Sequence, residues 1–210
     1  MTALILVDLQ NDFLPGGALG VPHGDALIPL ANQLQSCFKV AVATQDWHPA
    51  NHKSFAVNHP GRHPGEVLQL KSGLQTLWPT HCVQHTRGAE LAPGLLLSRV
   101  NKIFKKGSDP EVDSYSGFFD NGRAQATGLH DYLREKRVTG VYVMGLATDS
   151  CVKFTALDAV SLGFRTFLIE DACRGVNLQP DDVKAALEEM KQAGVSALPS
   201  RQLLESARIT

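Results

Sequence analysis

Cysteine is sparse and scattered: Cys37, Cys82, Cys151 and Cys173 are the only four in 210 residues, and no two form a CxxC pair. Such spacing excludes a zinc knuckle and argues against a disulfide framework. Long apolar runs are missing as well, since none approaches the ~20 residues needed to cross a bilayer. The opening MTALILVDL has no basic start and meets Asp8 after a short apolar run, so no secretory signal is expected. Neither charge sign dominates: 20 basic residues against 21 acidic ones leave a formal net charge of -1. That balance removes any electrostatic reason to invoke nucleic acid or an anionic membrane. Internal repeats, low-complexity tracts and linkers are also lacking. The expectation is a cytoplasmic globular protein with reduced thiols and a small-molecule partner.

Short apolar runs alternate with amphipathic stretches, the pattern of a mainly parallel sheet covered by helices on both faces. Strands are expected near residues 3–7, 40–44, 100–104, 138–144, 165–169 and 195–198. Helices are expected near 25–38, 122–135, 149–162 and 180–192, with a shorter one near 89–97. The chain reads as one domain over 1–210 with a loop insertion at about 46–97. This insertion holds six of the eight histidines and five prolines with little periodicity, and loops of such length usually carry function.

Polar residues at the strand ends point to chemistry. Asp8 follows the first strand, Asp46 the second, Lys105 and Lys106 the third, and Cys151 lies just beyond the fourth. Open parallel sheets bind ligands outside the carboxyl ends of their strands, so four separate strands deliver reactive groups to one edge.

In GLATDSCV, Gly145 ends a strand, and Thr148 or Asp149 is placed to cap the following helix, with Cys151 in its first turn. There the helix dipole favours a thiolate. Free cysteine is often mere core packing, but this one sits at the ligand-binding edge. A thiol attacking an amide needs a proton carrier, an acid for the leaving amine and oxyanion donors. Asp8 suits the first two tasks, and Lys106 can hold both anions, with Lys105 its rival because strand alternation decides which points inward. Backbone N–H groups of Ala147 and Cys151 are the expected oxyanion donors.

The stretch TQDWHPANHKSF sets Asp46, His48 and His52 in a D-x-H-x-x-x-H arrangement, and LWPTHCV adds His81. Imidazole and carboxylate together suit a divalent transition metal: zinc foremost, with iron or manganese also compatible. His59, His63 and His85 are substitutes on composition alone, and Cys82 reads as packing.

Taken in order, ALILVDLQNDFLPGGAL, TQDWHPANHKSF, LWPTHCV, FKKG, DSYSGFFDN and GLATDSCVKFTALDA resemble the nicotinamidases of the isochorismatase-like cysteine hydrolase family. The resemblance spans nearly the whole chain and implies a Rossmann-like three-layer α/β/α fold. It implies metal-dependent hydrolysis of nicotinamide to nicotinate and ammonia through a cysteine thioester, an activity of NAD salvage, with pyrazinamide-like analogues as further substrates. It carries a triad onto Asp8, Lys106 and Cys151, taking the lysine directly before Gly107. It makes Asp46, His48, His52 and His81 the metal ligands, the metal facing the pyridine nitrogen. It also implies a cis peptide before Ala147 and a ring pocket formed by Phe13, Trp78 and Tyr115. One departure is Ser150, where similar chains often carry a larger aromatic or imidazole side chain.

Three rivals remain on sequence grounds. One is a metal-free hydrolase of the same family acting on isochorismate or a carbamoyl compound, disfavoured by the histidine cluster. Another is a metallohydrolase using metal-activated water. The third is a binding protein on the same scaffold, which would be expected to lack part of the triad.

Overall fold

The computed structural model describes residues 1–207. At its centre lie two apolar segments, β1 (Thr2–Val7) and β2 (Val40–Asp46), buried almost end to end as strands covered on both faces must be. Next come β3 (Val67–Leu70), β4 (Gly73–Thr76), β5 (Lys102–Lys106), β6 (Gly140–Leu146), β7 (Arg165–Arg174) and β8 (Ser196–Leu198). Among the described residues, one sheet runs β5-β2-β1-β6-β7-β8 with every pairing parallel, while β3 and β4 form a separate antiparallel hairpin. The helices are α1 (Leu27–Gln35), α2 (Leu129–Glu135), α3 (Lys153–Ser161), α4 (Asp182–Gln192) and α5 (Ser200–Ala207). α1 packs with α5, and α3 packs with α4, completing the three-layer α/β/α architecture expected from the alternating pattern. Among the described residues, no helix is long and apolar enough to cross a membrane.

The topology creates the site. From β1 the chain moves outward to β2 and β5, then returns to lay β6 on the other side of β1. Such a reversal of strand order opens a crevice at the carboxyl ends. At its floor Val7 pairs with Gly145, whose φ is +126° and whose position would set a Cβ only 2.1 Å from the Val7 carbonyl oxygen. Only glycine lets β6 approach β1 this closely.

Several local expectations give way to tertiary bonding. The helix expected from 122 begins at Leu129, because the Asp120 carboxylate accepts the N–H groups of Ala124 and Gln125 and folds that segment into a turn. The helix expected near 89–97 is replaced by two 3-10 turns, Arg87–Ala89 and Leu97–Arg99. Between them Ala92 donates its N–H to Leu9 O, tying the backbone to the first loop, and Pro93 has no N–H to offer a helix. β5 lies two residues later than expected, which makes Lys106 its last residue. The β3–β4 hairpin and α5 were not anticipated; α5 starts where Ser200 donates both its N–H and its hydroxyl to the Asp171 carboxylate.

Candidate active site

Alternation along β5 separates the two lysines. Lys106 shares the buried face with Phe104, whereas Lys105 is exposed and lays its ammonium over the Trp47 ring at 3.5 Å. The Lys106 Nζ lies 2.5 Å from Asp46 Oδ1, 2.9 Å from Asp8 Oδ2, 2.9 Å from the Ser114 carbonyl and 3.4 Å from Cys151 Sγ. Burial opposes its charge, but Asp46, Asp8 and Cys151 outweigh that and hold its pKa well above the ordinary value.

Asp8 leaves β1 with φ +48° and is fully buried. Thr44 donates its hydroxyl to Asp8 Oδ1 at 2.6 Å and accepts the Asp8 N–H. Oδ2 pairs with the Lys106 ammonium at 2.9 Å. Carboxylate atoms of Asp8 and Asp46 and the Cys151 sulfur all lie within 4.8 Å of one another. Burial raises the Asp8 pKa above its ordinary value, for Lys106 is shared with Asp46 and does not offset the desolvation. Asp46 behaves oppositely. Its burial penalty is outweighed by Lys106, His48 and His81, so its pKa falls far below the usual carboxylate range.

The local geometry of Cys151 differs from the expectation. Thr148–Val152 form a π-helical turn ahead of α3, interrupted at Ser150 by φ -133° and ψ -106°. Neither Thr148 nor Asp149 caps it; the Asp149 carboxylate instead accepts the N–H groups of Val176 at 3.0 Å and Asn177 at 2.7 Å. Nor does the helix dipole yield a resting thiolate. Burial outweighs Lys106 and pushes the Cys151 thiol well above its ordinary value. The preceding Leu146–Ala147 peptide is cis, and Ala147 lines the cavity beside Cys151.

The histidines gather in two overlapping groups. Atoms of Asp46, His48 and His81 lie within 4.8 Å of one another, and so do atoms of His48, His52 and Asp113. Each ring is oriented through Nδ1: His48 to the Gly107 carbonyl at 2.8 Å, His81 to the Pro79 carbonyl at 2.7 Å, His52 to Ser54 Oγ at 2.7 Å. Nε2 of His48 and His81 faces Asp46 Oδ2 at 3.5 and 3.9 Å. His52 Nε2 is buried with no hydrogen-bond partner. An orphaned ring nitrogen beside two oriented imidazoles and an ionised carboxylate fits a divalent metal. Burial and the neighbouring His48 push His81 down to about 4, keeping it in the neutral form a metal requires. Gly107 belongs to this geometry too, since a Cβ there would meet the His48 ring at 2.4 Å. His59 bonds to the Lys53 carbonyl and His85 packs against Trp47, so neither joins the cluster.

A cavity with about 380 Å³ of empty space is lined by Asp46, His81 and Cys151 together. Phe13, Trp78 and Tyr115 all line it. The Tyr115 oxygen accepts from Trp78 Nε1 at 3.2 Å and Gln75 Nε2 at 3.0 Å, and Gln75 also donates to Asp113. Asp113 borders both the cavity and the histidine group. The sequence reading missed it, although it stands in the same DSYSGFFDN stretch that supplied Tyr115. Thr44 and Ser54, which orient reactive groups, stand within TQDWHPANHKSF but were not singled out, and Gln75 lies outside every quoted motif.

With fold and site in view, the chain belongs to the isochorismatase family: the family's domain model matches residues 2–202. It is 54% identical over 198 residues to a nicotinamidase of Escherichia coli (strain K12), covering 92% of each chain. Among solved structures, it is similar to an Acinetobacter baumanii nicotinamidase pyrazinamidase, with TM-score 0.93, 48% identity, and 96% and 97% of the two chains covered. A Pyrococcus horikoshii pyrazinamidase in complex with zinc matches with TM-score 0.77 and 42% identity, covering 94% of this chain and 98% of that one.

Proposed function

We propose that this protein hydrolyses nicotinamide to nicotinate and ammonia through a thioester on Cys151, an amidase activity of NAD salvage. The observation that carries the reading is the placement of Cys151 Sγ 3.4 Å from Lys106 Nζ and within reach of Asp8, on a cavity that Asp46 and His81 also line. The relatives named above support the substrate, since the similar Escherichia coli protein and the similar Acinetobacter baumanii structure are both nicotinamidases.

Attack is coupled to proton transfer. The Asp8 carboxylate takes the thiol proton as sulfur bonds to the carboxamide carbon. Its raised pKa makes it a stronger base than an ordinary carboxylate. Lys106 offsets the negative charge on the sulfur, and backbone N–H groups of Ala147 and Cys151 receive the oxyanion. On collapse of the tetrahedral adduct the C–N bond breaks, and Asp8 hands its proton to the departing amide nitrogen, which leaves as ammonia. Asp8 then accepts a proton from water as the water oxygen attacks the thioester. Breakage of the C–S bond releases nicotinate, and the Asp8 proton returns to sulfur.

Phe13, Trp78 and Tyr115 contact the flat ring in this reading. Asp46, His48, His52 and His81 would hold a divalent metal, zinc by analogy with the similar pyrazinamidase, with Asp113 beside His48 and His52. Such a metal supplies a Lewis-acidic anchor for the pyridine nitrogen and so orients the carboxamide toward Cys151.

Ammonia release from nicotinamide, assayed as purified, after chelation and after metal add-back, tests the reading. Release that falls with chelation and returns with zinc is expected. A folded, metal-loaded sample that releases no ammonia overturns it.

A further inference from the structure

The stretch ALILVDLQNDFLPGGAL supplies Asp8 and Phe13 to the site, and the chemistry above leaves Gln10, Asn11 and Asp12 between them unused. These three follow β1 in a loop and a 3-10 turn, Asn11–Phe13. Each side chain fastens a different part of the 46–97 insertion to the end of β1.

Gln10 continues a ladder that its own strand has left. β1 pairs with β2 from Ala3 opposite Val40 to Leu6 opposite Ala43, which stops short of Asp46. Beyond that point the Gln10 amide takes the place of a strand. Its Oε1 accepts the Asp46 N–H at 2.8 Å, and its Nε2 donates to the carbonyls of Asp46 and Ala89, each at 2.8 Å. Gln10 is fully buried, an environment that strengthens such bonds. The Asp46 backbone is thus held on the β1 side by Gln10, while β5 lies along the other side of β2.

Asp12 acts on the second ligand segment. Its Oδ2 accepts the Cys82 N–H at 2.7 Å, and the Cys82 carbonyl accepts the His48 N–H at 3.0 Å. Cys82 directly follows His81 and takes φ +47°, an uncommon conformation for a residue with a side chain. One backbone unit therefore joins Asp12 to His48 and fixes where His81 begins. Asn11 differs: its Nδ2 donates to the Arg87 carbonyl at 2.7 Å, and Arg87 adjoins none of the clustered ligands.

We infer that Gln10 and Asp12 are positioning residues for the metal centre, setting Asp46 against the His48 and His81 imidazoles through backbone hydrogen bonds. The inference rests on the metal reading above and adds what brings its ligands together. Ligands from two distant segments are both referred to one short stretch beside Asp8, so the metal centre and the catalytic carboxylate share a single anchor.

Zinc affinity of the folded protein, read by chelator competition alongside the urea midpoint of the metal-free form, tests this. Gln10→Met keeps the side-chain length and removes all three bonds, and Asp12→Ala removes the acceptor for Cys82. Each should weaken zinc binding about 10–100-fold, the usual cost of losing a group that orients a ligand. Asp12→Asn retains an acceptor oxygen and should bind zinc like wild type. Asn11→Ala cuts the neighbouring tie to the same insertion, so it should lower the urea midpoint and leave zinc affinity unchanged. Where Gln10→Met or Asp12→Ala does not fold, Gln10→Asn or Asp12→Ser, each too short to keep the bonds, is measured with the same expectation. Wild-type zinc affinity in the folded Gln10 or Asp12 variant overturns the assignment of that residue. An equal loss in Asn11→Ala overturns both, because the effect is then a general loosening of the insertion. A wild-type protein that binds no zinc strikes the metal reading itself instead.

Discussion

Asp46 and Lys106 are register partners at the carboxyl ends of adjacent parallel strands, and their side chains meet at 2.5 Å. Asp46 turns its second oxygen to His48 and His81, while Lys106 reaches Asp8 and Cys151. One ion pair thus joins the proposed metal centre to the proposed nucleophile, so changes at one centre are felt electrostatically at the other.

Removing the sulfur separates binding from chemistry. Cys151→Ala is expected to lower nicotinamide turnover roughly a thousandfold or more, while calorimetry still detects nicotinamide binding to the metal-loaded variant. Turnover within tenfold of wild type would mean that the covalent route is wrong.

Ser54 tests the role of His52. Its hydroxyl engages His52 Nδ1 and so directs Nε2 toward His48 and Asp113. Loss of such an orienting partner typically costs about 10–100-fold in metal affinity, and Ser54→Ala should show that loss in a zinc-chelator competition. Affinity equal to wild type would remove His52 from the ligand set.

Truncating the cation leaves two buried carboxylates face to face. Lys106→Met should destabilise the fold by about 3–5 kcal/mol, the usual cost of stranding a buried charge, read from urea unfolding at pH 7. A variant as stable as wild type would contradict the tight ion pairing seen around Nζ.

The stability of the metal-free protein should carry a signature of Asp8. Its folded pKa is raised above the ordinary 3.8, so the native state binds the proton more tightly than the unfolded chain. The associated stability is present below about pH 4 and is lost as pH rises through the folded pKa. Asp8→Asn removes this dependence. The stability of Asp8→Asn relative to wild type should therefore increase from pH 4 upward, measured by denaturant midpoints across the range. A difference that is flat or falls with pH would show that Lys106, rather than burial, dominates Asp8.

Much of the site was legible because parallel strands end on the same edge. Asp8, Asp46 and Cys151 stood out by their place after an apolar run, whereas position alone left Lys105 and Lys106 open until the family resemblance chose Lys106, which β5 turns inward. Asp113 was less visible, since its importance comes from lying beside His48 and His52, more than 60 residues earlier in the chain. Asp149 carried a misleading local signal. A carboxylate before a helix reads as a cap, yet here its partners are N–H groups from residues 176 and 177.

The order of apolar runs and polar strand ends by itself determined the α/β architecture and the reactive residues, because hydrophobic periodicity states which face of each element is buried. Tertiary structure alone decided that Asp46 pairs with Lys106, that burial raises the Cys151 thiol, and that Ser150 lines two cavities. Those outcomes depend on strand register, desolvation and the packing of segments far apart in the chain, which no local pattern encodes.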